Sequence, residues 1–280
     1  MDITVDFARR ALEAVRSAAA CEILPRYRRG RDAPAGSQIL AVECKGDGSL
    51  VTEADLAAQD ALARSLAAIE PAAIIGEEMP AHEQLAAFEK GGRAWVIDPL
   101  DGTANFARGV PFFAVSVALL EDARPIFGTV HDPIRDETCY AVRGAGAWFN
   151  HRPLLVPAGA SPLSGALVEV GLRREQARWL RGPLKHRPPY RRRITSGSST
   201  LSWCHLAAAR VDALLVSNQK LWDYAAGALI AEEAGARLAT VESDDFWSGP
   251  VWARSVIAAR DAALLDEWKA WVRAELRAAQ

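Results

Sequence analysis

The sequence predicts an α+β protein in which amphipathic helices alternate with short apolar strands. Apolar residues recur at helical spacing over residues 4–28 and again in a final helix that begins at Asp261. Between these ends lie several apolar runs of strand length. Residues 153–164, which contain three prolines, interrupt the series. We therefore expect an N-terminal subdomain over residues 1–155 and a C-terminal subdomain over residues 156–280.

The elements between these ends can be assigned in order. A charged loop occupies residues 29–36, and Thr52–Asp55 has the spacing of a capping box before a helix that ends at Pro71. A further helix runs from Asp223 to about Ala234. Strands are predicted near residues 72–75, 94–97, 112–120, 126–130 and 138–142 and, after the interruption, near residues 166–170, 193–196 and 212–216.

Composition and charge exclude several classes of protein. With 280 residues, the chain can hold one large domain or two closely packed subdomains. The net charge of −2 favours neither nucleic acid nor an anionic membrane as a partner. The first charged residues are acidic and no apolar run reaches the roughly 20 residues of a membrane span, so we expect no signal peptide and no membrane helix. The four cysteines lack zinc-binding spacing, which favours reduced, buried thiols in a cytoplasmic protein: Cys21, Cys44, Cys139 and Cys204.

The most informative stretch is Trp95–Phe106, an apolar run that ends in two aspartates, Asp98 and Asp101. Charged groups at the end of a core strand are costly to desolvate unless something compensates them. Mg²⁺ is the most direct compensation, because it takes oxygen ligands from carboxylates and backbone carbonyls. Pro99 restricts the backbone, so the two aspartates are expected to converge across a tight turn in which Leu100 offers only its carbonyl. The alternative is an ordinary turn with solvated aspartates.

Two further acidic groups occur at the ends of predicted elements. Ile74–Glu78 is a short apolar run that ends in two glutamates. Asp223 lies near the start of its helix, where helix capping alone also favours an acidic residue. Folding can bring these groups to the two aspartates of the first motif, and the assembly would suit two or three divalent ions.

Three acidic motifs occur in one order along the chain: Gly76–Glu78, then Asp98–Thr103 with Asn105 and Phe106, then Trp222–Gly227. In sequence and separation they resemble the motifs of the inositol monophosphatase family. The resemblance extends from about Lys45 to Gly235. It implies a layered α-β-α-β-α sandwich of the sugar-phosphatase type and a homodimer. The implied activity is that of a Mg²⁺-dependent, lithium-sensitive phosphomonoesterase. Its substrate would be a small phosphorylated alcohol, such as an inositol, histidinol, sugar or nucleotide phosphate.

The resemblance also implies a role for each residue of the site. Two or three Mg²⁺ ions would be held by four carboxylates and one carbonyl, those of Glu77, Asp98, Leu100, Asp101 and Asp223. The catalytic residues would be Thr103, Glu77 and Asp55, of which the first two would orient and deprotonate a water molecule. The substrate would be bound by Lys45, Asp101, Gly102, Thr103, Gly197, Ser198, Ser199 and Asp223.

One position departs from the pattern of the family. Seven residues before Asp223, relatives that bind inositol have a glutamate that accepts hydrogen bonds from sugar hydroxyl groups. This chain has Val216 there, and valine accepts no hydrogen bond. We therefore expect myo-inositol phosphate to be a poor substrate beside at least one other phosphomonoester.

The alternative to an enzyme is a catalytically weak relative that acts as a binding or regulatory protein. Its partner would be RNA or RNA polymerase, bound through the basic run at residues 187–193. At a net charge of −2, however, this run is more typical of a solvated loop. We expect a small phosphomonoester and a second copy of the chain as partners, and neither a membrane nor nucleic acid.

Overall fold

The computed structural model of the protein describes residues 3–27, 42–46, 50–157, 159, 162–172, 180 and 182–279. The charged loop predicted over residues 29–36 lies outside this part of the chain. The helices within it are α1 (Val5–Ala18), α2 (Glu53–Ala67), α3 (Ala81–Glu89), α4 (Thr103–Ala107), α5 (Ser199–Ala207), α6 (Leu221–Glu233) and α7 (Ala262–Ala278). A π-helical turn, Ala19–Ile23, continues α1, and residues 24–27 return to α-helix. Residues 182–186 are also helical.

The strands of the described residues form one ribbon and two large sheets. The ribbon pairs β1 (Val42–Cys44) with β2 (Leu50–Thr52). The first sheet has seven strands in sequence order: β3 (Ala73–Gly76), β4 (Arg93–Asp101), β5 (Ala114–Glu121), β6 (Arg124–Asp132), β7 (Glu137–Val142), β8 (Gly146–Phe149) and β9 (Arg152–Leu154). The second sheet has five strands in the order β11 (Arg192–Ile194), β10 (Leu167–Gly171), β12 (Ala213–Gln219), β14 (Arg254–Ala259) and β13 (Arg237–Thr240).

Strand direction differs between the two sheets. In the first sheet only β3 and β4 are parallel, and the later strands follow one another as antiparallel neighbours. In the second sheet β10 is parallel to both β11 and β12, whereas β14 is antiparallel to its two neighbours. The carboxyl ends of β10 and β12 therefore meet at one edge of the second sheet, where α/β proteins commonly bind ligands.

Hydrophobic clusters hold the sheets and helices in layers. Helices α1 and α2 cover one face of the first sheet, where Phe7 stacks on Trp95 with ring centroids 5.7 Å apart. Helices α5 and α6 lie between the two sheets and contact both. Helix α7 covers the outer face of the second sheet, and its Trp268 donates a hydrogen bond to the Leu214 carbonyl at 2.9 Å. The layers therefore run α-β-α-β-α, which confirms the architecture implied by the resemblance.

The central position of α6 depends on small residues. Its sequence is apolar around most of the circumference, and it is accordingly buried on nearly all sides. A Cβ atom on Gly128 of β6 would lie 2.8 Å from the Cα of Ala226 in α6. A Cβ atom on Gly227 would collide with the Trp203 side chain of α5. The two glycines thus allow α6, and with it Asp223, to approach its neighbours closely.

Several predicted boundaries and elements differ from the structure. The helix predicted over residues 4–28 is present over residues 5–27, with the π-helical turn between two α-helical stretches. Helices α3, α4 and α5 and strands β1, β2, β8, β9, β13 and β14 were not predicted. Helix α5 is buried almost all round, so its sequence lacks the apolar stripe of an amphipathic helix. The missed strands are short, with three to six residues each. Strand β14 also pairs with the more distant β12, whereas β8 and β9 pair with their neighbours along the chain.

The cysteines are reduced, but only half of them are buried. The prediction of buried thiols is correct for Cys139 and Cys204 and wrong for Cys21 and Cys44, which are exposed. Cys21 lies in the π-helical turn and Cys44 in the two-stranded ribbon, and neither belongs to the hydrophobic clusters. Burial at these positions is set by tertiary contacts that residue type alone does not reveal.

The division of the chain near residue 155 stays a prediction. Strand β9 ends at Leu154 and the second sheet begins at Leu167. The two helices between the sheets both follow residue 155, yet they pack against each sheet. In the described part of the chain, no helix is both long enough and apolar enough to span a membrane.

We predict that Gly128→Ala destabilises the protein. The new methyl group would meet the α6 backbone at 2.8 Å, so strand and helix must separate. The expected loss is about 1–3 kcal/mol of unfolding free energy, measured by chemical denaturation. Gly182→Ala is the matched control, because a Cβ atom there has open space within 4 Å. Equal stability of the two variants would contradict the close approach of α6.

Candidate active site

Strand β4 carries the first two aspartates of the site. Its ladder with β5 is regular up to the pair Asp98 and Ser116, shifts register, and resumes at Asp101 and Ala114. The tight turn predicted here is therefore wrong: the strand continues through Pro99 with a bulge. A bulge tolerates proline because the inserted residue makes no ladder hydrogen bond. It also allows the two aspartates to project toward a common point.

A third aspartate reaches this point from the start of α6. Asp223 occupies the third position of the helix and accepts a hydrogen bond from the Lys220 backbone amide at 2.7 Å. One oxygen atom from each of Asp98, Asp101 and Asp223 lies within 4.8 Å of the other two. The three carboxylates thus form a group of the size that a metal ion can bridge.

This cluster is unfavourable without a cation. Burial and the negative charges nearby, that of Glu77 first, raise the pKa of Asp98 well above its ordinary value. Asp98 Oδ1 accepts a hydrogen bond from the Leu100 amide at 3.1 Å. Its Oδ2 is buried and has no hydrogen-bond partner among the described residues. A set of oxygen donors with one unpaired, buried carboxylate oxygen fits a hard cation such as Mg²⁺.

Glu77 lies beside the cluster and is paired with a lysine. The Lys45 ammonium group is 3.1 Å from the Glu77 carboxylate and 2.7 Å from the Glu78 carboxylate. Burial raises the pKa of Glu77, and the charge of Lys45 opposes this rise. Glu77 is not one of the three carboxylates within 4.8 Å. Its role as a metal ligand stays a prediction, and Lys45 supplies the positive charge at this position.

The catalytic candidates Thr103 and Asp55 are in contact. The Thr103 hydroxyl group lies 3.1 Å from Asp55 Oδ1 and 3.0 Å from the Leu100 carbonyl, both of which are acceptors. Burial raises the pKa of Asp55 to about 6, although hydrogen bonds from Thr52 oppose the rise. Thr52 and Asp55 also form the predicted capping box of α2. Asp55 therefore joins the start of α2 to the start of α4.

The turn after β4 requires a glycine. Gly102 has a φ of +90°, and a Cβ atom there would lie 2.8 Å from the Phe112 carbonyl oxygen. In α4, which begins at the next residue, the Asn105 amide donates to the carbonyls of Phe112 and Ser196 at 2.8 and 2.9 Å. Asn105 thereby ties the β4 motif to the segment before α5, a role that sequence analysis did not assign.

The segment before α5 surrounds Asp101 with donors. The hydroxyl groups of Ser198 and Thr200 donate to Asp101 Oδ2 at 2.5 and 2.7 Å, and the Thr200 amide donates to it at 2.7 Å. Ser199 donates to Oδ1 at 3.3 Å. Gly197, with a φ of +80°, makes the preceding turn. The structure thus brings the predicted substrate-binding segment to Asp101, and it adds Thr200, which sequence analysis missed.

A buried glutamate supports this segment from the second sheet. Glu169 of β10 accepts hydrogen bonds from the Ser196 amide at 3.1 Å and from the Ser196 hydroxyl group. Its other oxygen lies 3.1 Å from Nδ1 of His205. Burial alone would raise the pKa of Glu169, but the hydrogen bonds from His205 and Ser196 outweigh it, and the pKa lies below its ordinary value. Glu169 was not predicted as a site residue, because a lone acid in an apolar strand carries no local signal.

A cavity of about 290 Å³ lies at the carboxyl ends of β10 and β12. Its wall includes two of the clustered aspartates, the predicted substrate-binding serines and the end of β12: Asp101, Ser198, Ser199, Val216, Gln219 and Asp223. The valine that replaces the expected glutamate therefore faces the space beside the cluster. The predicted loss of an acceptor for sugar hydroxyl groups applies to this cavity.

These features define a class: a layered α+β protein with an acidic cluster suited to divalent cations beside a ligand-sized cavity. The sequence profile of the inositol monophosphatase family matches residues 4–279. The chain belongs to the inositol monophosphatase family.

Relatives at similar identity carry two kinds of name. A Pasteurella multocida protein named Nus factor SuhB is 37% identical over 204 residues, 70% of this chain and 73% of its own length. The inositol-1-monophosphatase of Mesorhizobium japonicum is 35% identical over 206 residues, 71% of this chain and 74% of its own. A Thermotoga maritima protein named fructose-1,6-bisphosphatase/inositol-1-monophosphatase is 37% identical over 188 residues, 66% of this chain and 69% of its own.

Solved structures share the whole fold. The structure titled Thermotoga maritima IMPase matches with a TM-score of 0.80 at 28% identity, over 99% of this chain and 100% of that one. Mycobacterium tuberculosis SuhB matches with a TM-score of 0.73 at 28% identity, over 96% of each chain. These likenesses confirm the predicted family and fold.

We predict that Asp98→Asn stabilises the metal-free protein at neutral and alkaline pH. Because the pKa of Asp98 is higher in the folded than in the unfolded chain, the folded wild type loses stability as pH rises through the window above 3.8. The variant lacks this charge, so its melting temperature in EDTA should exceed that of the wild type at pH 8. The gain should shrink as pH falls toward 4. A variant less stable than the wild type at pH 8 would contradict carboxylate repulsion in the cluster.

Proposed function

We propose that the protein is a Mg²⁺-dependent phosphomonoesterase that hydrolyses a small phosphorylated alcohol. The convergence of oxygen atoms from Asp98, Asp101 and Asp223 within 4.8 Å, beside a cavity, supports this function. Glu77 and the Leu100 carbonyl are proposed as additional ligands. When bound, Mg²⁺ supplies Lewis acidity, which neutralises phosphoryl oxygens and makes water a stronger nucleophile near neutral pH. Lithium inhibition, a homodimer and a cytoplasmic location remain predictions from the family resemblance.

We assign the other residues to positioning and proton transfer. The Thr103 hydroxyl group donates a hydrogen bond to Asp55, so the lone pairs of the threonine oxygen can accept a hydrogen bond from the attacking water. Glu77, which lies near enough to contribute to the raised pKa of Asp55, accepts the proton of that water. The backbone amides of Gly102 and Thr103 bind phosphate oxygens. No protein nucleophile is needed, because phosphoryl transfer depends mainly on positioning and charge neutralisation.

A binding role is the second candidate function, and the relative named Nus factor SuhB favours it. The basic run offers a surface for RNA, since Arg191, Arg192 and Arg193 are exposed at the edge strand of the second sheet. Arg187 is partly neutralised by Glu275 at 3.1 Å. Intact carboxylates argue for catalysis, because a protein without it has no need to bury them together.

We predict that the protein releases phosphate from phosphomonoesters only when Mg²⁺ is present. Asp98→Asn and Asp223→Asn should lower turnover by roughly 10³-fold, the equivalent of several kcal/mol of lost transition-state stabilisation. The control is Asp266→Asn, on the exposed side of α7, which should keep wild-type turnover. Phosphate release is measured at saturating and at zero Mg²⁺. If no phosphate is released by the wild type and RNA is retained through the basic run, the binding role replaces catalysis.

We predict a change of substrate preference for Val216→Glu. The wild type should hydrolyse myo-inositol 1-phosphate more slowly than at least one of histidinol phosphate, fructose 1,6-bisphosphate and a nucleoside monophosphate. A glutamate at this wall of the cavity adds an acceptor for inositol hydroxyl groups, so the variant should raise kcat/KM for inositol phosphate about tenfold or more. The control is Val216→Leu, which keeps the cavity wall apolar. Val170→Glu is unsuitable as a control, because it would bury a charge in the core. A wild type that already prefers inositol phosphate would contradict this argument.

A further inference from the structure

The two carboxylate oxygens of Asp101 have different surroundings. Oδ2 accepts three short hydrogen bonds, from the Ser198 hydroxyl group at 2.5 Å and from the amide and hydroxyl groups of Thr200, both at 2.7 Å. Within the described part of the chain, Oδ1 accepts only the longer bond from Ser199, at 3.3 Å. A carboxylate oxygen has room for about two such donors, so Oδ2 is saturated. Oδ1 is therefore the oxygen that remains for a cation.

The hydroxyl group of Ser196 fixes the start of this donor segment. Ser198 is the N-cap of α5, and its backbone amide donates to the Ser196 hydroxyl oxygen at 3.3 Å. A serine hydroxyl group carries a single proton. The proton of Ser196 is directed to Glu169, which is closer than the other acceptor within reach, the Ser198 carbonyl at 3.1 Å. With its proton turned to Glu169, the Ser196 oxygen presents a lone pair to the Ser198 amide.

Glu169 is a buried carboxylate that stays charged. Its side chain is 1% exposed, and it accepts hydrogen bonds from the amide of Ser196 at 3.1 Å and from the hydroxyl group of the same residue. Although burial opposes ionisation, the hydrogen bonds from His205 and Ser196 hold the pKa of Glu169 below its ordinary value. The carboxylate is therefore ionised near neutral pH. A hydrogen bond to an ionised acceptor is roughly twice as strong as one between neutral groups.

We propose that Glu169 is a positioning residue for the cation site. Acting through Ser196 and Ser198, it holds Oδ2 of Asp101 and so leaves Oδ1 for the cation. The chain of contacts runs from β10 of the second sheet to β4 of the first. Glu169 is not one of the three clustered carboxylates, so its effect on the cation is indirect. This role rests on the Mg²⁺ site of the proposed function.

The Mg²⁺ affinity of variants, measured by calorimetry without substrate, tests this role. Glu169→Ala removes the acceptor for Ser196 and should weaken Mg²⁺ binding about tenfold or more. Glu169→Gln keeps a carbonyl oxygen for Ser196 and gains an amide that can donate to Nδ1 of neutral His205. It should therefore bind Mg²⁺ within about threefold of the wild type. Turnover of phenyl phosphate at limiting Mg²⁺ should follow the same order.

Asp212→Ala is the matched control for a general loss of stability. Asp212 is also a carboxylate that pairs with a side chain, Arg260 at 2.7 Å, and accepts a backbone amide, that of Leu167 at 2.8 Å. It directly precedes β12, at the end of the second sheet opposite the cavity. Both alanine variants should lower the melting temperature in EDTA, but Asp212→Ala should keep the Mg²⁺ affinity of the wild type. Equal weakening of Mg²⁺ binding by the two variants overturns the proposal.

Two serine variants test the route from Glu169 to Asp101. Ser196→Ala breaks the route at its middle and should weaken Mg²⁺ binding as Glu169→Ala does. Ser198→Ala removes the hydroxyl group that donates to Oδ2. If Glu169 acts through Ser198, adding Glu169→Ala to this variant should weaken Mg²⁺ binding by no more than about threefold further. Effects that multiply, as those of two independent structural defects would, overturn the proposed route.

The phosphatase function and this role fail separately, because the Mg²⁺ affinities are measured without substrate. A wild type that binds Mg²⁺ but hydrolyses no phosphomonoester contradicts only the phosphatase function, and the affinities of the variants still decide the role of Glu169. A Glu169→Ala variant that binds Mg²⁺ as tightly as the wild type overturns that role and leaves the phosphatase function standing. A wild type that binds no Mg²⁺ overturns both.

Discussion

The site depends on the repulsion between three carboxylates that the fold holds close together. The oxygen atoms of Asp98, Asp101 and Asp223 lie within 4.8 Å, where carboxylates are unstable unless a proton or a cation intervenes. Burial, and after it the charges of Glu77, Asp101 and Asp223, raise the pKa of Asp98, and its buried Oδ2 has no hydrogen-bond partner among the described residues. A divalent cation would relieve both. Metal affinity and the stability of the surrounding strands and helices are therefore coupled.

Asp101 connects this cluster to both layers of β-structure. It lies at the end of a strand of the first sheet. Its donors, Ser198 and Thr200, belong to the segment that leaves the second sheet and enters α5. Asn105 strengthens the same link by donating to the Ser196 carbonyl at 2.9 Å. The position of one aspartate thus depends on the packing of the two sheets around α5 and α6, and a shift between the layers would disturb the cluster.

The acidic motifs were visible in the sequence, whereas the residues that support them were not. Asp98 and Asp223 stand in short patterns with a strong local signal, and the layered fold followed from the resemblance that these patterns carry. Glu169 is a single polar residue in an apolar strand, and Gln219 is the last of three polar residues that end an otherwise apolar strand. Their positions at the cavity arise from the parallel register of β10 with β12 and from a bulge, both of which are properties of pairing between distant segments. The bulge at Pro99 was mistaken for a turn because proline usually ends a strand.

Binding of the cation and recognition of the substrate are carried by different parts of the fold. The clustered aspartates come from β4 and α6, whereas much of the cavity wall comes from β10 and β12. The wall can therefore change while the carboxylates stay in place. Relatives named as a phosphatase and as a Nus factor are 35% and 37% identical to this chain, so overall identity does not separate these functions. Val216, at the end of β12, lines this cavity and offers no polar atom, so this part of the wall is where the specificity of the chain is to be sought.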